Sequence, residues 1–337
     1  MLYNKEKIEK LQHRWTTTQG KKLLKTIKES RCFLSPVLFK EKIRNFPGIK
    51  DKEVSDSIDL RGAPLSGFDF RVPIQEDDDG FSEDIAILSE IHFEGAILKH
   101  CNFQDGKIHD CFFEHADVSH SDFKGSSINS CQFHEADCLG MNLRGARLIN
   151  CNFSDANIRD ITLDATIVDE NTTFGEELKT EKENSHHAAA IEYKQIKEMY
   201  KNSSLHNLSD KYHYKEMIAK RKKTHKHNPM RWLNFAFGDL LCKYGTSFIR
   251  VFLWSVVLMV VCAIVYTQTE SLLFQNNVVD HSFSNSLYFS IVTFTTLGYG
   301  DFHAIGAARF LAAMESFLGA ALMSLFTVIV ARHIIRD

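Results

Sequence analysis

The chain has 337 residues, enough for two or three domains, and a formal net charge of −3 that singles out no polyanionic partner; no nucleic acid is expected. Hydrophobic residues make up 44% of it, an ordinary share, but the long apolar runs are confined to roughly the last 100 residues. The first 30 residues are densely charged, which excludes a secretory signal peptide there. The 8 cysteines include no C-x-x-C pair, so reduced, packing thiols in a cytosolic compartment are expected rather than disulfides or a zinc site.

Residues 1–50 are expected to form a helical cap. Ile8, Leu11, Trp15, Leu23, Leu24 and Ile27 recur at near-helical spacing in a basic stretch, and Pro36 opens a second short helix through Phe46. Such a face suits either a membrane surface or the end of a neighbouring domain, and the second is the plainer expectation.

From Leu88 the chain repeats every five residues. The large apolar position runs Leu88, Phe93, Leu98, Phe103, Ile108, Phe113 and Val118, and continues to Val168. Two residues before each stands a mostly small one, such as Ala86, Ala96, Cys101, Cys111, Ser121, Cys131 and Cys151. A period of five is neither helical nor strand-like. The pattern resembles the pentapeptide-repeat family, A-(D/N)-L-x-x. That resemblance implies a cytosolic right-handed quadrilateral β-helix over 51–175, one repeat per face, with the large and small residues inward and the other three positions facing water. Leu60, Leu65 and Phe70 read as the start of the same coil.

An insertion at 71–84 breaks the register. Its Glu76, Asp77, Asp78, Asp79, Glu83 and Asp84 near Gly80 offer carboxylates to calcium, but their order does not match an EF-hand loop, and a solvated acidic loop is expected. The repeat holds no catalytic constellation, so no enzyme activity and no cofactor are expected. His100, His109, His115, His120 and His134 fall at outward positions and read as surface residues.

Residues 176–240 are expected to form a helical hairpin and a basic juxtamembrane linker. Ala188–Met199 and Lys211–Lys222 carry the apolar stripes, with a turn at Asn202–Ser204 and an N-cap at Ser209–Asp210. His186, His187, His225 and His227 read as surface side chains rather than metal ligands. Lys220, Arg221, Lys222, Lys223, Lys226 and Arg231 precede an apolar run, which marks a cytoplasmic flank against anionic lipid. Trp232, Phe235 and Phe237 suit an interfacial helix.

Residues 241–337 hold two apolar runs long enough to span a bilayer, about 246–267 and 305–334. No lysine or arginine occurs between Arg250 and Arg309, whereas both outer flanks are basic. The positive-inside rule therefore puts both termini in the cytoplasm of a multi-pass protein of the plasma or inner membrane. Between the spans, about 284–295 is apolar and aromatic but too short to cross, and Thr295-Thr296-Leu297-Gly298-Tyr299-Gly300-Asp301 follows it.

That stretch resembles the potassium-channel selectivity filter, T-V-G-Y-G, with Leu297 in place of valine. In order, the segments resemble the two-span channel pore with a re-entrant pore helix. The resemblance implies a homotetramer in membrane lipid that passes K+ past carbonyl oxygens of Thr296, Leu297, Gly298, Tyr299 and Gly300, with Tyr299 packed as a brace. It also implies Asp301 at the outer mouth and an inner-helix hinge at Gly319, one residue short of the usual offset. Helical spacing suggests Met323, Phe326 and Val330 for the cavity or gate. Glu315 is expected behind the filter, hydrogen-bonded to the pore helix or neutral. The expected function is passive potassium conduction, gated or modulated by the repeat domain and an unidentified cytosolic ligand or protein. A non-selective cation channel and a membrane-tethered interaction protein are the alternatives.

Overall fold

The computed structural model describes residues 5–30, 57–73, 84–224, 228–274, 277–278 and 282–336. These fall into two compact units, Met1–Lys223 and Thr224–Asp337. The expected helix from Pro36 to Phe46, the carboxylates at 76–79 and 83, and His225 and His227 lie outside the described residues.

A five-residue period closes a square when each repeat makes one face, so that residues 20 apart stack. The first unit is built this way. Ile87–Ser89, Lys107–His109, Ser127–Asn129, Arg147–Ile149 and Ile167–Val168 form a parallel five-stranded sheet up one face. Single bridges such as Ile97 with Asp117 and Asp117 with Asp137 repeat the step on other faces. The large positions from Leu88 to Val168 and the small ones between them are buried. Phe93, Phe113, Phe133, Phe153 and Phe174 stack into one ladder, with ring centroids 4.6 to 5.1 Å apart. Phe70, Phe103 and Phe123 form a second. Offset stacking at this spacing adds to the area each ring removes from water. Corners are turned by left-handed residues two places after the large one. His100, Asp105, His115, His120 and Asp160 have φ of 55–56° there. Short polar side chains tolerate this region better than branched ones.

Leu60, Leu65 and Phe70 belong to the first coil. Ile58 pairs with Ile91, Pro64 with Ile97 and Asp69 with Asn102, an offset of 33 rather than 20. The excess is the insertion, whose base is closed by the antiparallel pair Val72–Pro73 and Asp84–Ile85. The seven described cysteines are free and buried, and the thiols of Cys101, Cys111, Cys131, Cys151 and Cys242 point at backbone carbonyls, as Cys131 does at Asn129 O. Burial pushes the Cys101 and Cys151 thiols up to about 12, which leaves them protonated and unreactive.

Helices α1 (Lys5–His13) and α2 (Thr18–Ser30), joined by a 3-10 turn at Arg14–Thr16, cover the first coil. Trp15, Leu23 and Ile27 are buried in one cluster with Ile58 and Leu60. The Trp15 indole donates to Arg61 O at 2.8 Å. Arg14 makes two hydrogen bonds to Asp59, and Arg61 binds the same carboxylate. Burial opposes the charge on Asp59, yet the two guanidiniums outweigh it and hold the carboxyl below its usual range. The apolar face of this segment is spent on the coil. Four charged or titratable side chains at positions that the period assigned to water, Asp59, Arg61, His92 and Glu94, are buried here instead.

After a single turn, α3 (Lys179–Lys182), the hairpin of α4 (His186–Asn202) and α5 (His206–Lys223) closes the other end. Ala189, Tyr193, Ile196, Tyr200 and Tyr212 join the coil's core. Tyr200 OH donates to Thr172 O at 2.7 Å, and Ser203 Oγ accepts from Val168 N at 3.0 Å, so the last coil's edge groups are satisfied. Helix α5 starts three residues before the expected N-cap. Ser209 therefore lies inside it, donating to Lys197 O across the hairpin at 3.2 Å.

The second unit begins with α6 (Pro229–Leu233), capped by Asn228, whose side chain accepts from Met230 N. A π-helical segment, Asn234–Leu241, continues it and leaves Trp232 and Phe237 strongly exposed. Helix α7 (Phe248–Gln268) and helix α9 (Ala308–Arg336) carry the two apolar runs, with mean hydropathy of 2.6 and 1.9 over their most apolar windows. Between them lies α8 (Phe283–Phe294). Leu272–Phe274 pairs antiparallel with Asn277–Val278 and with Phe302–Ala304, a small sheet that ties the chain after α7 to the chain before α9.

Candidate ion-conduction site

Helix α8 carries apolar and aromatic side chains at Phe283, Leu287, Tyr288, Phe289, Ile291, Val292 and Phe294 and is started by Ser282, whose hydroxyl accepts from Asn285 N. At about 1.5 Å per residue it covers only about 18 Å, short of the roughly 30 Å of bilayer hydrocarbon. Its C-terminal end runs directly into the T-L-G-Y-G stretch. Thr296 N donates to Thr293 O and Leu297 N to Val292 O, both at 3.0 Å, so the stretch leaves the helix already fastened to it. The partial negative charge at this helix end favours a cation nearby.

The backbone then alternates in hand. Thr296 has φ of 57°, Gly298 57° and Gly300 77°, while Leu297 and Tyr299 stay outside the left-handed region. Changing hand at every second residue turns successive peptide planes the same way, which is what a row of carbonyls along one line requires. The two glycines adopt this region at little cost because they lack Cβ. Thr296 is β-branched and adopts it under strain, with its hydroxyl donating to Thr295 O at 2.7 Å. A dehydrated cation can bind such a row once copies of it face one another.

Side chains of this stretch have few neighbours in their own chain. Leu297 is 59% exposed and Tyr299 67%. The packing expected of Tyr299 is thus not made within its own chain. Asp301 is held: Tyr288 OH on α8 donates to its Oδ2 and Phe302 N to its Oδ1, both at 2.9 Å. Phe302 lies against Phe274, with ring centroids 5.0 Å apart, so the Asp301 end of the stretch is anchored in the small sheet.

Gly319 has a defined contact. A Cβ placed there would lie 2.1 Å from Phe294 O, and α9 runs through the position without a break. Of the three candidate cavity residues, Met323 is exposed and Val330 half-buried. Phe326 is half-buried, and its ring packs against Phe248 and Phe252 of α7, beside the cluster of Cys242, Val251 and Ile329. Helical spacing placed it near Met323, but its side chain is turned toward the other membrane helix.

Glu315, buried in α9, meets α8 and α7 together. Tyr266 OH donates to its Oε2 at 2.8 Å, and Ser290 Oγ lies against its Oε1. Sequence reasoning named Glu315 but not Tyr266, Ser290 or Tyr288. The available signal was the polar side chains that stand among apolar ones in each run. Among the described residues, no group of His, Cys, Asp and Glu side chains could hold a metal ion.

Fold and site together define a membrane protein in which a capped β-helix precedes a channel-type pore module. A family model described as ion channel matches residues 237–336, and eight copies of pentapeptide repeats match 86–125 and 126–164. The chain therefore carries an ion-channel domain of the two-span type and a pentapeptide-repeat domain. Comparison with curated proteins returns no match. Among solved structures, Rfr23, a pentapeptide repeat protein from the cyanobacterium Cyanothece 51142, is 17% identical, over 36% of this chain and 93% of its own, with a TM-score of 0.23. HetL, a pentapeptide repeat protein involved in heterocyst differentiation regulation from Nostoc sp. strain PCC 7120, is 18% identical over 33% of this chain and 47% of its own, with a TM-score of 0.24. A pentapeptide repeat protein from the Arabidopsis thaliana thylakoid lumen is 22% identical over 33% of this chain and 58% of its own, with a TM-score of 0.12.

Proposed function

We propose that the protein is a potassium-selective channel assembled from four copies of this chain. The observation that carries this reading is the alternating backbone of Thr296, Gly298 and Gly300 at the C-terminal end of α8. In this reading, carbonyls of Thr296, Leu297, Gly298, Tyr299 and Gly300 replace the ion's hydration shell, and Asp301 stands at the outer mouth. Leu297 changes a side chain relative to the usual valine and leaves its carbonyl free to serve. Exposure of Leu297 and Tyr299 in the single chain is what a ring of subunits would cover. Met323, on an exposed face of α9, remains the candidate for the cavity, with Val330 at that face's edge. Opening would require movement of α9, for which Gly319 is the candidate hinge.

The same reading places α7 and α9 across a cell membrane with both termini in the cytoplasm, because basic residues flank the spans and are absent between Arg250 and Arg309. Trp232, Phe237 and Arg231 would lie at the lipid interface, following in sequence the basic residues Lys220–Lys223. The pentapeptide-repeat domain would modulate the pore by binding a cytosolic ligand or protein. The test is the native mass of the detergent-purified protein. Four chains per particle are expected, and a monomer that still conducts ions would overturn the assembly.

A further inference from the structure

We propose that Glu315 works as a protonated carboxylic acid that fastens α8 to both membrane-spanning helices, so that its hydrogen-bonding pattern, and not a negative charge, positions the filter. The inference rests on the channel reading above only for what is positioned. The proton count rests on the geometry alone.

Three close contacts must share the available protons. Tyr266 OH lies 2.8 Å from Glu315 Oε2. Ser290 Oγ lies within hydrogen-bond distance of Glu315 Oε1 and also 2.9 Å from Met259 O. Ser290 has one hydroxyl proton and cannot give it fully to both acceptors. Met259 O can only accept. If the Ser290 proton goes to Met259 O, the proton between Ser290 and Glu315 must come from the carboxyl. Each of these three contacts is then made once: Tyr266 to Oε2, Oε1–H to Ser290, and Ser290 to Met259. An ionised carboxylate would leave two acceptors facing each other across a shared hydroxyl.

The surroundings agree. The groups that meet the carboxyl are Tyr266 and Cys262 from α7 and Ser290 from α8, and among the described residues no lysine, arginine or histidine pairs with it. A buried carboxylate without a cation is costly, whereas a buried acid with each hydrogen bond made is not. The result is a single polar joint linking three helices around α8, and α8 ends at the filter.

The test compares wild type, Glu315→Gln and Glu315→Ala as full-length protein in liposomes, measuring potassium and sodium flux, and records infrared difference spectra of wild type against Glu315→Gln. A glutamine amide donates to Ser290 and accepts from Tyr266, so Glu315→Gln should keep the potassium-to-sodium flux ratio within about threefold of wild type. Glu315→Ala should lower it by about tenfold, the size of one or two lost buried hydrogen bonds. The wild-type spectrum should show a protonated-carboxyl stretch that Glu315→Gln lacks. Absence of that band overturns the proton assignment, whether or not the protein conducts. A glutamine variant as impaired as alanine overturns the positioning role. Wild type without any flux, but with the band, counts against the channel reading and leaves the proton count standing.

Discussion

Gly298→Ala or Gly300→Ala abolishes potassium flux in reconstituted protein while leaving the assembled particle intact. Neither glycine has an atom within 4 Å of where a Cβ would stand, so the cost is not crowding. It is the backbone: φ is +57° at Gly298 and +77° at Gly300, where an L-residue loses about 1–2 kcal/mol. In a four-fold ring that cost is paid at four positions together, roughly 4–8 kcal/mol per pore. The least costly relief is for the substituted residue to return to negative φ. That turns its carbonyl out of line and removes one ring of oxygens. Flux of wild-type size from either variant would remove the carbonyl row from the account.

Gly319→Ala lowers the thermal stability of the protein and its flux together. An added Cβ would stand 2.1 Å from Phe294 O, 2.9 Å from Phe294 C and 3.0 Å from its Cα. All three are backbone atoms at the end of α8, and none can rotate away. The helices must separate, at about 1–3 kcal/mol per subunit, the usual cost of overpacking. Separation also draws Glu315 away from Ser290, since both lie along the same contact. A hinge alone makes a different forecast, because alanine in a continuous helix is more stable than glycine. An unfolding midpoint equal to or above wild type would assign Gly319 to movement and not to packing.

The legible parts of the chain are those where a local rule repeats. Seventeen positions in a five-residue register match neither a helix nor a flat strand, and the resemblance they carry to pentapeptide repeats implied the β-helix and its inward positions. The left-handed corners could have been read too, from the Gly, Asn, Asp, Ser and His found two places after most of the large residues. What stayed hidden depends on partners distant in sequence. The apolar face of α1 and α2 favoured the end of a neighbouring domain over a membrane surface, but only the contacts of Trp15 with Arg61 and of Arg14 with Asp59 show where it docks. Ser209 looked like a cap because Ser-Asp is a common helix start, but packing of α5 on α4 extends the helix back to His206. Phe326 shares a helical stripe with Met323, and only the position of α7 shows which way its ring turns. The strand Phe302–Ala304 is too short for any periodic signal, yet it anchors the Asp301 end of the T-L-G-Y-G stretch.

Potassium against sodium flux through purified wild-type protein in liposomes tests the central claim most directly. The account predicts rapid potassium entry and sodium entry lower by a large factor, as carbonyl rings held by the Thr296–Gly300 backbone would give. Equal entry of both ions would leave a pore and contradict its selectivity. Entry of neither, from protein shown to be a folded tetramer, would contradict the channel itself.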